Sequence, residues 1–323
     1  MTFAFDAYVT TALFDAAGGA AFALGDGTVR FEGGEAIEAH DGAVLAAALH
    51  PGGEGLVTGG DDGRLVWARP SGGEEIAKVP GRWIDAVAAS PDSKLIAFSA
   101  GRELHVRDAG DAKFARVFTH EKSVAEVAFD PKGRRIAAAT YGGVALWYAR
   151  IEGQKPTMLK WAGSHVASAF SPDGKFLVSA MQDNQLHGWR VADEKNMRMG
   201  GYPAKVKSLA FLAKGNMLAT SGANGVVIWP FAGSTGPMGK QAAEVGYDEA
   251  AMVVRVAAAP GLGWVAAGLD DGRVWACDLA GQKIIPIKAD KGSPITALAM
   301  NPDARRIAWG DEDGGAGVAE VGG

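Results

Sequence analysis

The chain repeats itself about every forty residues, and that period constrains its fold more than any other feature. An apolar anchor recurs at Phe14, Leu49, Ala89, Phe129, Phe170, Phe211, Ala258 and Met300, with separations of 35, 40, 40, 41, 41, 47 and 42 residues. In six of the eight units a proline follows two residues later, at Pro51, Pro91, Pro131, Pro172, Pro260 and Pro302, usually beside Asp or Gly, as tight turns require. A second apolar run then begins at Leu56, Leu95, Ile136, Leu177, Leu218, Val265 and Ile307. Its β-branched and small residues spell a strand rather than a helix. Turns such as GDG at 25–27, DDG at 61–63 and DDG at 270–272 end the run. A third short strand follows, carrying an aromatic in several units: Phe31, Trp67, Trp147, Trp189 and Trp229. Segments such as KFARVFT at 113–119 offer a fourth strand, and no segment has the length and 3.6-residue period of a convincing amphipathic helix.

Four short antiparallel strands every ~40 residues is the pattern of a β-propeller blade, whose apolar faces are covered by its neighbours. The fold expected is all-β, a single β-propeller domain over residues 1–323, with eight four-stranded blades favoured and seven as the alternative. The extra segment TFAF at 2–5 is expected to close the last blade by pairing with residues 315–320. In each unit the first strand reads apolar-x-x-apolar-x-anchor, which breaks strict alternation and implies a bulge. The intervening positions then face a central channel. Among them are Asp85 and Glu126 from adjacent units, and Lys207 and Arg255 from another adjacent pair.

Composition limits what such a chain does. No apolar run approaches the ~18 residues of a membrane span, and the first residues lack the basic start and apolar core of a signal peptide. The chain therefore reads as soluble and cytoplasmic, with no membrane partner. Cys277 is the only cysteine, so no intramolecular disulfide forms and zinc sites built on several cysteines are excluded. A net charge of −5 argues against a general nucleic-acid binder. A local basic stretch at Arg190, Lys195, Arg198, Lys205 and Lys207 reads as a solvated edge, with polyanion docking as its functional alternative.

Catalytic signatures are missing: there is no nucleophile elbow, no HExxH, no phosphate loop and no dinucleotide fingerprint. His120-Glu121 begins like a zinc motif, but residue 124 is Val. The acidic turns sit where hairpins call for Asp and Gly, without the alternate spacing of a calcium loop. No cofactor and no metal is expected.

The chain resembles the WD-repeat β-propeller family over almost its whole length. The unit at 166–190 is the closest match, with FSPDG, LVSA, Asp183 and Trp189 at the family's relative spacing. The Trp-Asp dipeptide itself never occurs. The resemblance implies a hydrogen-bonded tetrad, for which His40, Thr58, Asp61 or Asp62, and Trp67 are the candidates. His120, Thr140 and Trp147 form a partial set. It also implies a non-enzymatic protein–protein interaction scaffold that binds one or more proteins and is monomeric on its own. The alternative is a propeller enzyme or sensor that holds a metal or small ligand through Asp85 and Glu126. In a propeller of this strand order, one face collects Tyr8, Trp83, Arg102, Lys122, Tyr141, Met181, Tyr202, Lys205 and Met252. Several are residue types that become interface hot spots.

Overall fold

The computed structural model describes residues 1–322, and its regular elements are strands with a single exception. A short 3-10 turn at Ala213–Gly215 is the single helical element among them, and no helix is long and apolar enough to cross a membrane. The chain divides into two compact units. One is Phe14–Phe170; the other joins Met1–Leu13 to the residues from Ser171 onward.

Within Phe14–Phe170, the strands Val44–Leu49, Leu56–Gly60, Arg64–Arg69 and Gly72–Lys78 form one antiparallel up-and-down sheet. Val87–Ser90, Leu95–Ala100, Glu103–Asp108 and Asp111–Thr119 form the next. Second strands such as Leu95–Ala100 are buried along their whole length. Covered on both faces, they read as continuous apolar runs rather than alternating ones. Fourth strands such as Asp111–Thr119 lie at a sheet edge and alternate between exposed and covered. Val57 and Leu65 of the first sheet share a core with Ile84, Val87, Ile96 and Phe98 of the second. Leu95, Leu104 and Val106 of the second share one with Val127, Ile136 and Ala145 of the third. Each such side chain contributes about 1.5–3 kcal/mol when fully buried. Four-stranded sheets stacked face to face through shared cores are the blades of a β-propeller.

The other unit follows the same plan. Leu212, Ala219 and Ile228 pack on Val253, Val265 and Trp275 of the following sheet, and Ala266, Val274 and Ala276 pack on Ile295, Ile307 and Trp309 of the one after. Thr2–Ala4 pairs antiparallel with Gly315–Glu320, in the register Thr2 to Gly317 and Ala4 to Gly315, and so completes that last sheet.

The bulges expected in every first strand are present in three. The pairing register shifts between Val44 and Ala46, between Val253 and Arg255, and between Ile295 and Ala297, each in a first strand. The count of sheets is a correction: strand pairing gives seven, six of four strands and one of six, where eight were favoured. The cause lies in two fourteen-residue strands, Arg135–Tyr148 and Thr157–Phe170, which run on where the repeat calls for a break. Within the first of these the chain reverses at Tyr141–Gly143. Gly142 and Gly143 hold φ of 94° and 143°, and the Ala149 amide donates to the Arg134 carbonyl at 2.9 Å.

Candidate functional site

The histidine-centred tetrad forms only in pieces. His40 sits under the turn that follows Leu56–Gly60. Its Nδ1–H donates to Asp62 Oδ1 at 3.0 Å, and its Nε2 takes the Thr58 hydroxyl at 2.9 Å. Burial holds the imidazole below its ordinary pKa, outweighing the hydrogen bond and negative charge of Asp62. Burial by itself would raise the Asp62 carboxyl, but donors from Arg64 N, His40 and Asp41 N together hold it low. Of the two candidate aspartates, Asp62 is therefore the partner and Asp61 is not. Trp67 also departs from expectation. Its Nε1–H donates to Glu54 O at 2.8 Å, and its ring stacks on His50 at 4.0 Å with the Arg69 guanidinium 3.9 Å from the ring.

In the unit that follows Asp111–Thr119, Trp147 Nε1 donates to His120 Nε2 at 2.9 Å and His120 Nδ1 donates to Arg102 O at 3.2 Å. Thr140 stays outside this pair, its hydroxyl on Gly143 O. A third network was missed by the sequence reading. Tyr202, expected on the surface, is 7% exposed. Its hydroxyl accepts from Trp229 Nε1 at 2.6 Å and meets Thr220 Oγ1 at 2.7 Å, and burial pushes its pKa up to about 12. Tyrosine here takes the place of histidine. The signal was available in the spacing: Tyr202 stands 18 residues before Thr220, as His40 stands before Thr58. It stands 27 before Trp229, as His120 stands before Trp147. These networks join connections to strands inside the fold, so their role is structural.

The exposed candidates in Phe14–Phe170 form a continuous edge. Trp83 is 65% exposed and Tyr141 64%, and Arg102 and Lys122 are exposed as well. A side chain at Gly101 would lie 3.7 Å from the Arg82 guanidinium, so the connection bearing Trp83 passes over the turn bearing Arg102. The amides of His120 and Val124 then donate to Arg102 O and Gly101 O. A depression of about 480 Å³ follows, lined by His120, Glu121, Lys122, Tyr141, Trp147 and Lys160 among others.

In the other unit Tyr8 is 43% exposed. Lys205 and Met252 are half-buried; Lys205 Nζ donates to Gln182 Oε1 at 2.6 Å. Met181, the second correction beside Tyr202, is 2% exposed, because it ends a strand buried on both faces. In the basic stretch Arg190 is neutralised by its pair with Asp193, while Arg198 keeps its charge and donates to the neutral Gln185.

The channel candidates separate by unit. In Phe14–Phe170, Asp85 accepts from Ser99 Oγ at 2.6 Å, and Glu126 Oε1 takes the Val127 amide. Burial, with the Asp85 charge adding to it, raises the Glu126 carboxyl to about 7. In the other unit Lys207 is exposed, while Arg255 is half-buried with Nε on Thr296 O at 2.6 Å. Among the described residues no three His, Cys, Asp or Glu converge in a metal-holding group.

Comparison with known proteins bears on this plan directly. Residues 35–67 and 160–190 match the WD domain, G-beta repeat. The chain carries WD repeats. The first matched segment holds His40, Thr58 and Trp67; the second holds the FSPDG unit. The WD-repeat chain is 27% identical over 186 residues to pre-mRNA-processing factor 19 homolog 2 of Arabidopsis thaliana, a match covering 54% of this chain and 35% of that protein. It is 26% identical over 211 residues to the intraflagellar transport protein 80 homolog of Mus musculus, covering 60% and 25% respectively. Telomerase protein component 1 of Mus musculus matches at 30% over 148 residues, 44% of this chain and 6% of that one. These matches span about a third or less of each relative's length. Among solved structures, the computationally designed Ika8 protein shares the fold with a TM-score of 0.78 at 19% identity, over 98% of both chains.

Proposed function

We propose that this WD-repeat chain is a non-enzymatic scaffold for protein–protein interaction, and that partners dock on the edge bearing Trp83, Arg102, Lys122 and Tyr141. The observation that carries this is the pair of aromatics, Trp83 and Tyr141, each about two-thirds exposed: the Trp83 connection lies over the turn bearing Arg102, that turn is hydrogen-bonded to the connection bearing Lys122, and Tyr141 lines the depression beside it. Large aromatics held in that way on a rigid frame are the residues that become binding hot spots. Tyr8, Lys205 and Met252 occupy the corresponding connections of the other unit.

The finer architectural reading is one domain over 1–323. A reducing, cytoplasmic setting accords with the buried, unpaired Cys277.

The test begins with affinity capture of a partner from the native cell. Trp83→Ala and Tyr141→Ala should then each weaken binding by ~1–3 kcal/mol without lowering the melting temperature. A partner bound equally well by the double variant would place the working surface elsewhere.

A further inference from the structure

The opposite edge of Phe14–Phe170, where the proline turns lie, carries a second feature. Between the turn after Val87–Ser90 and the turn after Glu126–Phe129 opens a groove of about 630 Å³, lined by Asp92, Lys132, Arg134, Tyr148, Arg150 and Ile151 around Ser93 and Gly133. Its floor is set by the chain itself. Gly133, at φ 61°, packs so closely on Ser90 and Ser93 that any side chain there would collide with both hydroxyls. One wall is pinned, since Arg150 donates to the Ser93 carbonyl at 3.1 Å and pairs with Asp108.

The groove has a charge opposite to that of the molecule. The chain as a whole carries −5, whereas here Lys132 and Arg134 face Asp92 alone, Arg150 being matched by Asp108. Lys132 and Arg134 are exposed and make no ion pair among the described residues. Beside them Tyr148 and Ile151 each leave about half their surface in solvent. A cationic groove with an apolar step selects a ligand with anionic groups next to an aliphatic side chain. A nucleic acid fits less well, because Asp92 and the net negative charge repel a long run of phosphates.

We propose that this groove binds an acidic linear peptide of a partner protein. Its Asp and Glu carboxylates lie against Lys132 and Arg134, and a Leu or Ile side chain lies on Tyr148 and Ile151. The proposal rests on the scaffold reading and gives it a second, chemically distinct surface.

The experiment is fluorescence anisotropy on the full chain with labelled twelve-residue peptides: one of alternating Glu and Asp containing two leucines, one with both leucines replaced by serine, and one with Glu and Asp replaced by Gln and Asn. Expected is binding of the first, at least tenfold weaker binding of the other two, and marked weakening between 50 and 500 mM NaCl. Lys132→Glu with Arg134→Glu should weaken the first peptide at least tenfold at an unchanged melting temperature, and Ile151→Ser should weaken it independently. The idea fails if the Gln/Asn peptide binds as tightly as the acidic one, or if neither variant alters the affinity. A twelve-nucleotide single strand that bound as tightly as the acidic peptide would also overturn it. Trp83→Ala with Tyr141→Ala should leave peptide affinity untouched, so failure at one surface is distinguishable from failure at the other.

Discussion

A buried hydroxyl or imidazole is stable only while each of its polar atoms has a partner, and this rule sets what single substitutions do. Tyr202→Phe removes the acceptor for Trp229 Nε1 and one of two partners of Thr220 Oγ1, which keeps Val227 O. It should cost about 1–3 kcal/mol, seen as a lower midpoint in urea; an unchanged midpoint would mean that water replaces the hydroxyl. Protonation acts on the same networks. His40, His50, His105 and His120 are all held below the ordinary 6.5 by burial, so the unfolded chain binds their protons more readily than the folded one. Their stabilisation is complete above pH 6.5 and falls as pH drops toward the folded values, by up to about 1.4 kcal/mol per pH unit for each histidine. Glu126 has the opposite sign. Its folded pKa of about 7 exceeds the ordinary 4.5, so its contribution is present below 4.5 and lost as pH rises through 7. Glu126→Gln should raise the melting temperature at pH 8 and change little at pH 4. At this scale the sequence was partly readable. His40 and Thr58 follow from the resemblance to the WD-repeat pattern, but the choice of Asp62 over Asp61 and of Glu54 O for Trp67 depends on ring orientation, which the pattern does not encode. Tyr202 was misread because a tyrosine in a connection looks like a surface aromatic until its partners are known.

Strands pack closely enough here that some positions admit no side chain. A Cβ at Gly268 would collide with Ile295, which begins the next first strand, and one at Gly310 would collide with Val9. Gly268→Ala should therefore destabilise by ~1–3 kcal/mol through overpacking, measurable as a shift in thermal midpoint beside the control Gly261→Ala, where nothing lies near. Removal of residues 1–6 should leave Gly315–Glu320 as a bare edge and lower stability by several kcal/mol; equal melting of the truncated and intact chains would show that this pairing contributes nothing. Strand identity, the bulges of three first strands and the pairing of residues 2–5 were legible because they follow from residue type and period. The run-on of Arg135–Tyr148 was not, since Tyr141-Gly142-Gly143 reads simply as a turn and gives no sign that backbone bonding persists through it.

For the molecule as a whole, the forty-residue period was the most legible property, because every unit reports it independently and a lapse in one is covered by the others. Partner surfaces were less so: the same rigid frame carries an aromatic edge and a basic groove, and exposure separates Trp83 from Met181 only once the strands are in place. A frame held by shared cores should need no ion. Chelation with EDTA is expected to leave the melting temperature unchanged, and a chelator-sensitive transition would reveal a site with fewer than three His, Cys, Asp or Glu ligands.

The pairing of Thr2–Ala4 with Gly315–Glu320 also has a consequence in time. The Met1 amine and the Val318 carbonyl that it meets lie 317 positions apart. At about 5–20 residues per second of synthesis, a ribosome takes on the order of half a minute to travel between them. For that interval the first strand waits without its partner, and the sheet it completes cannot finish until residues 315–320 have been synthesised. Such long-separated pairing is slow by topology as well. In a cell the step most exposed to chaperone capture or to misjoining with a second nascent chain is therefore this long-separated pairing, and a circular permutant that places residues 1–6 directly after Glu320 should shorten it.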